Sequence, residues 1–317
     1  MPALVFTVCA CIIALVPVSL NASAHVSRTE IDELAGPSVA VTSINDRGAI
    51  VGSIAAVPFR WTHARGVEFF LGSSPGQATD INDRGDIVGY LEQSQNSLPG
   101  FLWTKRDGLT DLGTFLPLAV NNRGQVAGMC AEDLSTPRPC IWENGVLTEL
   151  GDGVVYGAAH AINARGEVAG QIGLSAFVWS PRTGLVLLPN VRPGSNDVQS
   201  ASGLNNRGQV VGIAADASSP IATPVRWRPS GEAEALSQFQ GTEAVFIAIN
   251  ASGLAIGRYL VQVAPTEFVW HGFASVPRGH VTTLGLGIPV AVNNRGAILG
   301  TTNVDGVQRV VIWRVVK

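Results

Sequence analysis

The chain has 317 residues and a formal net charge of −3, and only 14% of its residues are Asp, Glu, Lys or Arg, against about 25% in typical soluble domains. That balance excludes the strongly basic surface expected of a nucleic-acid binder and offers nothing for electrostatic adhesion to anionic membranes. Gly (36) and Pro (18) are plentiful beside Val, Ile, Leu and Ala, the profile of an all-β protein with many turns.

The first element in chain order is a targeting signal. Ala3 to Leu20 is an apolar run broken by Thr7, Pro17 and Ser19, and the small residues Ala22-Ser23-Ala24 follow it. This is the layout of a secretory signal peptide, residues 1–24, cleaved after Ala24, although no Lys or Arg precedes Arg28. Pro17 and the small-residue ending favour cleavage over a retained membrane helix, and no membrane span is expected after it. Export leaves Cys130 and Cys140 in the mature chain, flanking a polar, Pro-containing segment between two predicted strands. An oxidising compartment makes a disulfide across that hairpin the expected state, with two buried thiols as the alternative.

From there on one phrase recurs seven times: an aliphatic residue, Asn, two variable residues, Gly, three more residues, Gly. The copies start at Asn45, Asn82, Asn121, Asn163, Asn205, Asn250 and Asn293. Each is followed by one tryptophan, Trp61, Trp103, Trp142, Trp179, Trp227, Trp270 and Trp313. The spacing averages about 41 residues, in the range of propeller blades. Within a copy the Asn opens a turn and its Gly takes the positive φ that closes it. Two strands flank that turn, a third carries the Trp, often with Phe two residues earlier (Phe59, Phe101, Phe177 and Phe268), and a fourth follows. The residue two before the Asn is small in six copies and Asp80 in the other, which suits the narrow end of a wedge at a central axis.

After Trp313 only four residues remain, whereas Glu30 to Gly36 resembles the fourth-strand segments ending at Gly113 and Gly151. The N-terminal segment is therefore expected to complete the last blade. The expected fold is a single all-β domain, residues 25–317: a seven-bladed β-propeller of four-stranded blades whose ring is closed by an N-terminal strand. A linear β-array is the alternative.

The unit Ile-Asn-x-x-Gly-x-Val-x-Gly, Phe-x-Trp, Asp-Leu-Gly-Thr, best preserved at Ile81–Gly89, Ala176–Trp179 and Asp111–Thr114, resembles the bacterial extracellular HAF-repeat family. The likeness covers nearly all of the mature chain, although the namesake His is absent from every copy. It implies a secreted, propeller-like protein and brings no activity, cofactor or catalytic residue with it.

Features shared by every blade point to scaffolding, so chemistry is sought where the symmetry breaks. The turn arginines Arg47, Arg84, Arg123, Arg165, Arg207 and Arg295, with Ser252 as the gap, would decorate one face and suit capture of carboxylates. Local pairing with neighbouring acids or carbonyls is the competing reading. The tryptophans are expected in the inter-blade core rather than under sugars. His160, three residues before Asn163, and Asp80 are the asymmetric residues expected near the channel. No metal-ligand spacing, nucleophile elbow or phosphate loop accompanies them, so no cofactor, metal or catalytic residue is expected. The function expected is a secreted or periplasmic binding module, a monomer, taking a protein or an acidic glycan. The alternative is a propeller lyase or hydrolase with a polar site at the channel.

Overall fold

The computed structural model describes residues 25–316 apart from 93–98, 131–135, 152–155, 193, 217–220 and 277–279. The expected signal peptide at 1–24 lies outside the described residues, and among these no helix is long and apolar enough to cross a membrane. The chain forms seven four-stranded antiparallel sheets, each numbered in order from its inner strand outward. Blade 1, for example, is Val39–Ile44, Ile50–Ile54, Val57–Thr62 and Gly66–Glu68, and blade 2 is Gly76–Ile81, Ile87–Leu91, Gly100–Thr104 and Gly108–Asp111. The seven-bladed propeller expected from the repeat is the fold.

The repeat can be read as geometry. The first glycine of each phrase closes the turn in the left-handed region, as at Gly48 with φ of +80°. The second has no room for a side chain: a Cβ on Gly52 would lie 1.9 Å from the Ala40 carbonyl oxygen, and one on Gly89 2.1 Å from that of Gln77. Opposite these glycines sit the buried third-strand residues, Phe59 against Gly52, Phe101 against Gly89 and Phe177 against Gly170. Trp61, Trp227 and Trp313 are buried between blades, while Trp103, Trp142 and Trp179 are half-buried at the same position.

Blade 6 departs from the expected pattern. Its second and third strands are lengthened to Ala255–Ala264 and Glu267–Ser275. Gly257 faces Phe273, and Ser275 stands opposite Ala255 where other blades place Trp. Phe268 and Trp270 are thereby carried toward the hairpin tip, with Phe268 44% exposed and Trp270 under the Arg258 guanidinium, 4.5 Å from its ring centre. The nearest aromatic pair in the sequence is not the pair that packs, because the hairpin insertion shifts the register. Arg226 of blade 5 reaches toward the position vacated by Trp, donating to the Gly253 carbonyl at 3.3 Å and lying 3.5 Å from the Ser275 carbonyl.

Blade 7 is Ile288–Val292, Ile298–Val304 and Val307–Val316, completed on its outer edge by His25–Ile31. The pairing runs from His25 opposite Val316 to Ile31 opposite Val310. The closing strand therefore starts earlier than the expected Glu30–Gly36. Only Glu30 and Ile31 of that stretch are strand; Asp32–Leu34 is a 3-10 turn that buries Leu34 between blades 7 and 1. The strand itself is mostly exposed, so no apolar alternation marks it in the sequence. Cys130 and Cys140 form a disulfide with a Cα–Cα distance of 5.8 Å. Cys140 takes the place of the third-strand Phe, and Phe115 packs into the same cluster.

Candidate functional site

The seven inner strands surround a central channel of about 370 Å³, lined from three residues before each repeat Asn to one residue after it. Every inner strand carries a bulge at the residue three before the Asn, which leaves a neighbouring carbonyl in need of a donor. Thr42 donates to the Ala78 carbonyl of the next blade, Thr79 to Pro117 and Ser202 to Phe246, each at 2.9 Å. His160 belongs to the same series: its Nδ1 lies 2.9 Å from the Ala201 carbonyl. A carbonyl only accepts, so Nδ1 carries the proton there. Burial pushes the His160 pKa down, against the opposing pull of the Ala201 carbonyl. The neutral ring then turns an Nε2 lone pair away from that bond, and Nε2 has no partner among the described residues.

Beyond the bulges the repeat asparagines form a closed ring. Each Nδ2 donates to the carbonyl of the next Asn at 2.9–3.2 Å, Asn45 to Asn82 and so on to Asn293, which returns to Asn45. Each Oδ1 accepts from its own turn, as Asn45 does from the N–H groups of Arg47 and Ala49. Only a side chain with a donor and an acceptor on one short planar group can do both. In blades 2 to 5 the second amide hydrogen goes to Asp86, Gln125, Glu167 or Gln209, four residues on. Blades 6, 7 and 1 have Leu254, Ala297 and Ala49 there.

That same position decides what the turn arginines do. All six are exposed at the channel mouth. Arg84 pairs with Asp86 and Arg165 with Glu167, both at 2.6 Å. Beside the uncharged glutamines, Arg123 and Arg207 instead reach the carbonyls of Arg165 and Ser252 on the next blade, at 3.4 Å. Beside alanine, Arg47 and Arg295 make no such bond among the described residues. These two stand on blades 1 and 7, which are neighbours across the ring closure.

Asp80 is the carboxylate of the channel wall. It accepts from the Ser43 hydroxyl at 2.6 Å and from the N–H groups of Ile81 and Val120 at 2.8 Å. Burial pushes its pKa up to about 6; these three donors work against that and Asp83 adds to it. Asp80 keeps some exposed surface and lines the channel. Asp80 and His160 share the channel from blades 2 and 4 with blade 3 between them, and no hydrogen bond joins them among the described residues. Asp46 and Asp83 lie at the mouth, where each accepts from a neighbouring blade. This carboxylate arc was not anticipated; the variable turn residue after each Asn carried the signal.

Because consecutive strands run antiparallel, connections alternate between the two ends of the ring. The arginine turns occupy one end. The uneven connections at Ala131–Pro139, Pro189–Ser200 and Ala214–Pro224 all leave from the other end, with 131–135, 193 and 217–220 outside the described residues. Arg192 ties two of them together through Asp197 and Asp216.

No protein-family model matches the sequence, and no curated protein matches it. Among solved structures the chain is similar to the tricorn protease, with a TM-score of 0.34 and 10% identity over 84% of this chain and 38% of that one. It is also similar to the extracellular domain of a B. thetaiotaomicron protein described as a one-component system, with a TM-score of 0.31 and 8% identity over 89% of this chain and 58% of that one. The chain thus spans less than two thirds of either structure, and a likeness this distant carries no argument about activity.

Proposed function

We propose that the chain is an exported binding module of HAF-repeat type that holds a protein or an acidic glycan against the arginine-turn face of its propeller. The observation that carries this reading is the inequality of the turn arginines. Four are tied to an acid or a carbonyl, whereas Arg47 and Arg295, on adjacent blades, keep guanidinium groups available for bidentate capture of a carboxylate. The buried disulfide Cys130–Cys140 suits an oxidising compartment and supports export.

The test is a screen of the mature chain against acidic and neutral glycans and extracellular proteins, repeated with the double variant Arg47→Ser, Arg295→Ser. Ser252 already occupies that turn position in blade 6, so the variant retains the fold. Binding that weakens with added salt and drops in the double variant is the expected result. A uniformly blank screen, or binding indifferent to the two arginines, overturns the reading.

A further inference from the structure

The interior of the channel differs in chemistry from its rim. The hydroxyl hydrogens of Thr42, Thr79 and Ser202 are given to carbonyls, that of Ser43 goes to Asp80, and the His160 Nδ1 proton goes to Ala201. Each repeat asparagine gives one amide hydrogen to the next blade. Of those side chains the hydroxyls, His160 and the asparagines of blades 2 to 5, whose second amide hydrogen is also taken, present lone pairs to a guest. Only Asn45, Asn250 and Asn293 keep an amide hydrogen without a partner among the described residues. The inward-facing strand edges add N–H and C=O groups in equal number, so the backbone alone does not discriminate. Asp80 already occupies two of the N–H groups, those of Ile81 and Val120, which tips the remainder toward acceptors.

Charge points the same way. Among the described residues the acidic members of the lining are Asp46, Asp80 and Asp83, all on blades 1 and 2, and the lining contains no Lys or Arg. His160 is a separate observation on another blade: a half-buried ring whose Nε2 lacks a partner among the described residues and which lines the same cavity. The cavity, at about 370 Å³, falls within the size range of small-molecule sites.

We infer that the central channel binds a compact organic cation, a primary amine or diamine, with its ammonium group directed to Asp80 and the remaining acceptors of the wall. An ammonium supplies three donors and a positive charge, the complement of a wall rich in lone pairs and carboxylates. This site goes beyond the proposed rim function and is independent of Arg47 and Arg295.

The experiment is calorimetric titration of the mature chain with 1,4-diaminobutane, butylamine, butane-1,4-diol and butyrate. Wild type is compared with Asp80→Ala, which installs the small residue other blades carry, and with Ala248→Phe, which fills the channel from a distant blade. The amines should bind and the matched diol and carboxylate should not. Affinity should fall by about tenfold or more in Asp80→Ala, the scale of a lost charge-assisted hydrogen bond, and vanish in Ala248→Phe. Equal binding of the diol, binding unaffected by either variant, or no amine binding to wild type overturns the inference. The Arg47→Ser, Arg295→Ser variant separates the two sites: it should lose rim binding and keep amine binding.

Discussion

At the scale of single residues, the repeat asparagine carries more structure than a turn requires. Asn121 donates to the Asn163 carbonyl at 3.0 Å and to Gln125 Oε1 at 2.7 Å, while its Oδ1 accepts from the N–H groups of Arg123 and Gln125. Removing it leaves several buried groups unsatisfied, so Asn121→Ala should cost about 2–4 kcal/mol, read from urea unfolding. Asn121→Asp should be no better at neutral pH, because it keeps the acceptors but loses both donors and buries a charge. A cost near that of an exposed turn residue would refute the ring as a source of stability. Asp80 makes a prediction of opposite character. Its folded pKa, about 6, lies above its ordinary 3.8, so the folded state favours the protonated form. The stability this contributes is present at low pH and is lost as the pH rises through about 6. The groups acting on it are Ser43, the N–H groups of Ile81 and Val120, and the charge of Asp83. Between about pH 4 and about pH 7.5 the stability of Asp80→Ala relative to wild type should therefore shift in the variant's favour, by up to about 3 kcal/mol. A pH-independent difference would show that the carboxylate is not desolvated.

At the scale of the element, the lengthened hairpin of blade 6 changes the core between two blades. With Ser275 in the tryptophan position, Arg226 fills the space and lies 5.8 Å from the Phe246 ring centre. Its partners are carbonyls and a hydroxyl, with no acid among its hydrogen bonds to the described residues. Burial accordingly pushes its pKa down. Its stem contributes packing while its charge contributes a desolvation cost. Arg226→Ala should then destabilise by about 2–4 kcal/mol through the cavity it leaves, and Arg226→Met, which keeps the volume and drops the charge, by clearly less. Equal losses in thermal or urea unfolding would mean that the guanidinium bonds dominate.

At the scale of the whole molecule, ring closure decides stability. Contacts of unlike kind cross the seam between the two ends of the ring, among them the strand pairing of His25–Ile31 with Val307–Val316, the hydrogen bond from Asn293 to Asn45 at 2.9 Å and the bonds from Asn294 to Asp46. His25 lies directly opposite Val316. A circular permutant that joins these ends through a short turn and opens the chain between blades 7 and 1, at Pro37, should fold to the same ring and unfold in one transition. Deleting His25–Ile31 instead exposes the long edge of blade 7 and should produce association or loss of cooperative unfolding, followed by light scattering and calorimetry. A deletion variant as stable as the full ring would remove closure from the account.

The local chain alone determined the number of blades, the turns at the seven asparagines, the small residues along the axis and the Cys130–Cys140 pairing. Each of these follows from short-range geometry, a turn, an alternation or a hairpin, that repeats until it is unmistakable. Tertiary structure decided what depends on strand register and on partners in another blade. It selected Phe273 and Ser275 over Phe268 and Trp270 in blade 6, because a lengthened hairpin moves register without changing composition. It began the closing strand at His25, because an exposed edge strand has no hydrophobic period to reveal it. It turned each Asn toward the next blade, and it brought Arg123 and Arg207 to carbonyls of the following blade, whereas Arg47 and Arg295 make no such bond among the described residues. The asparagine ring and these arginine contacts rest on which blade stands beside which, and only the closed ring supplies that neighbour.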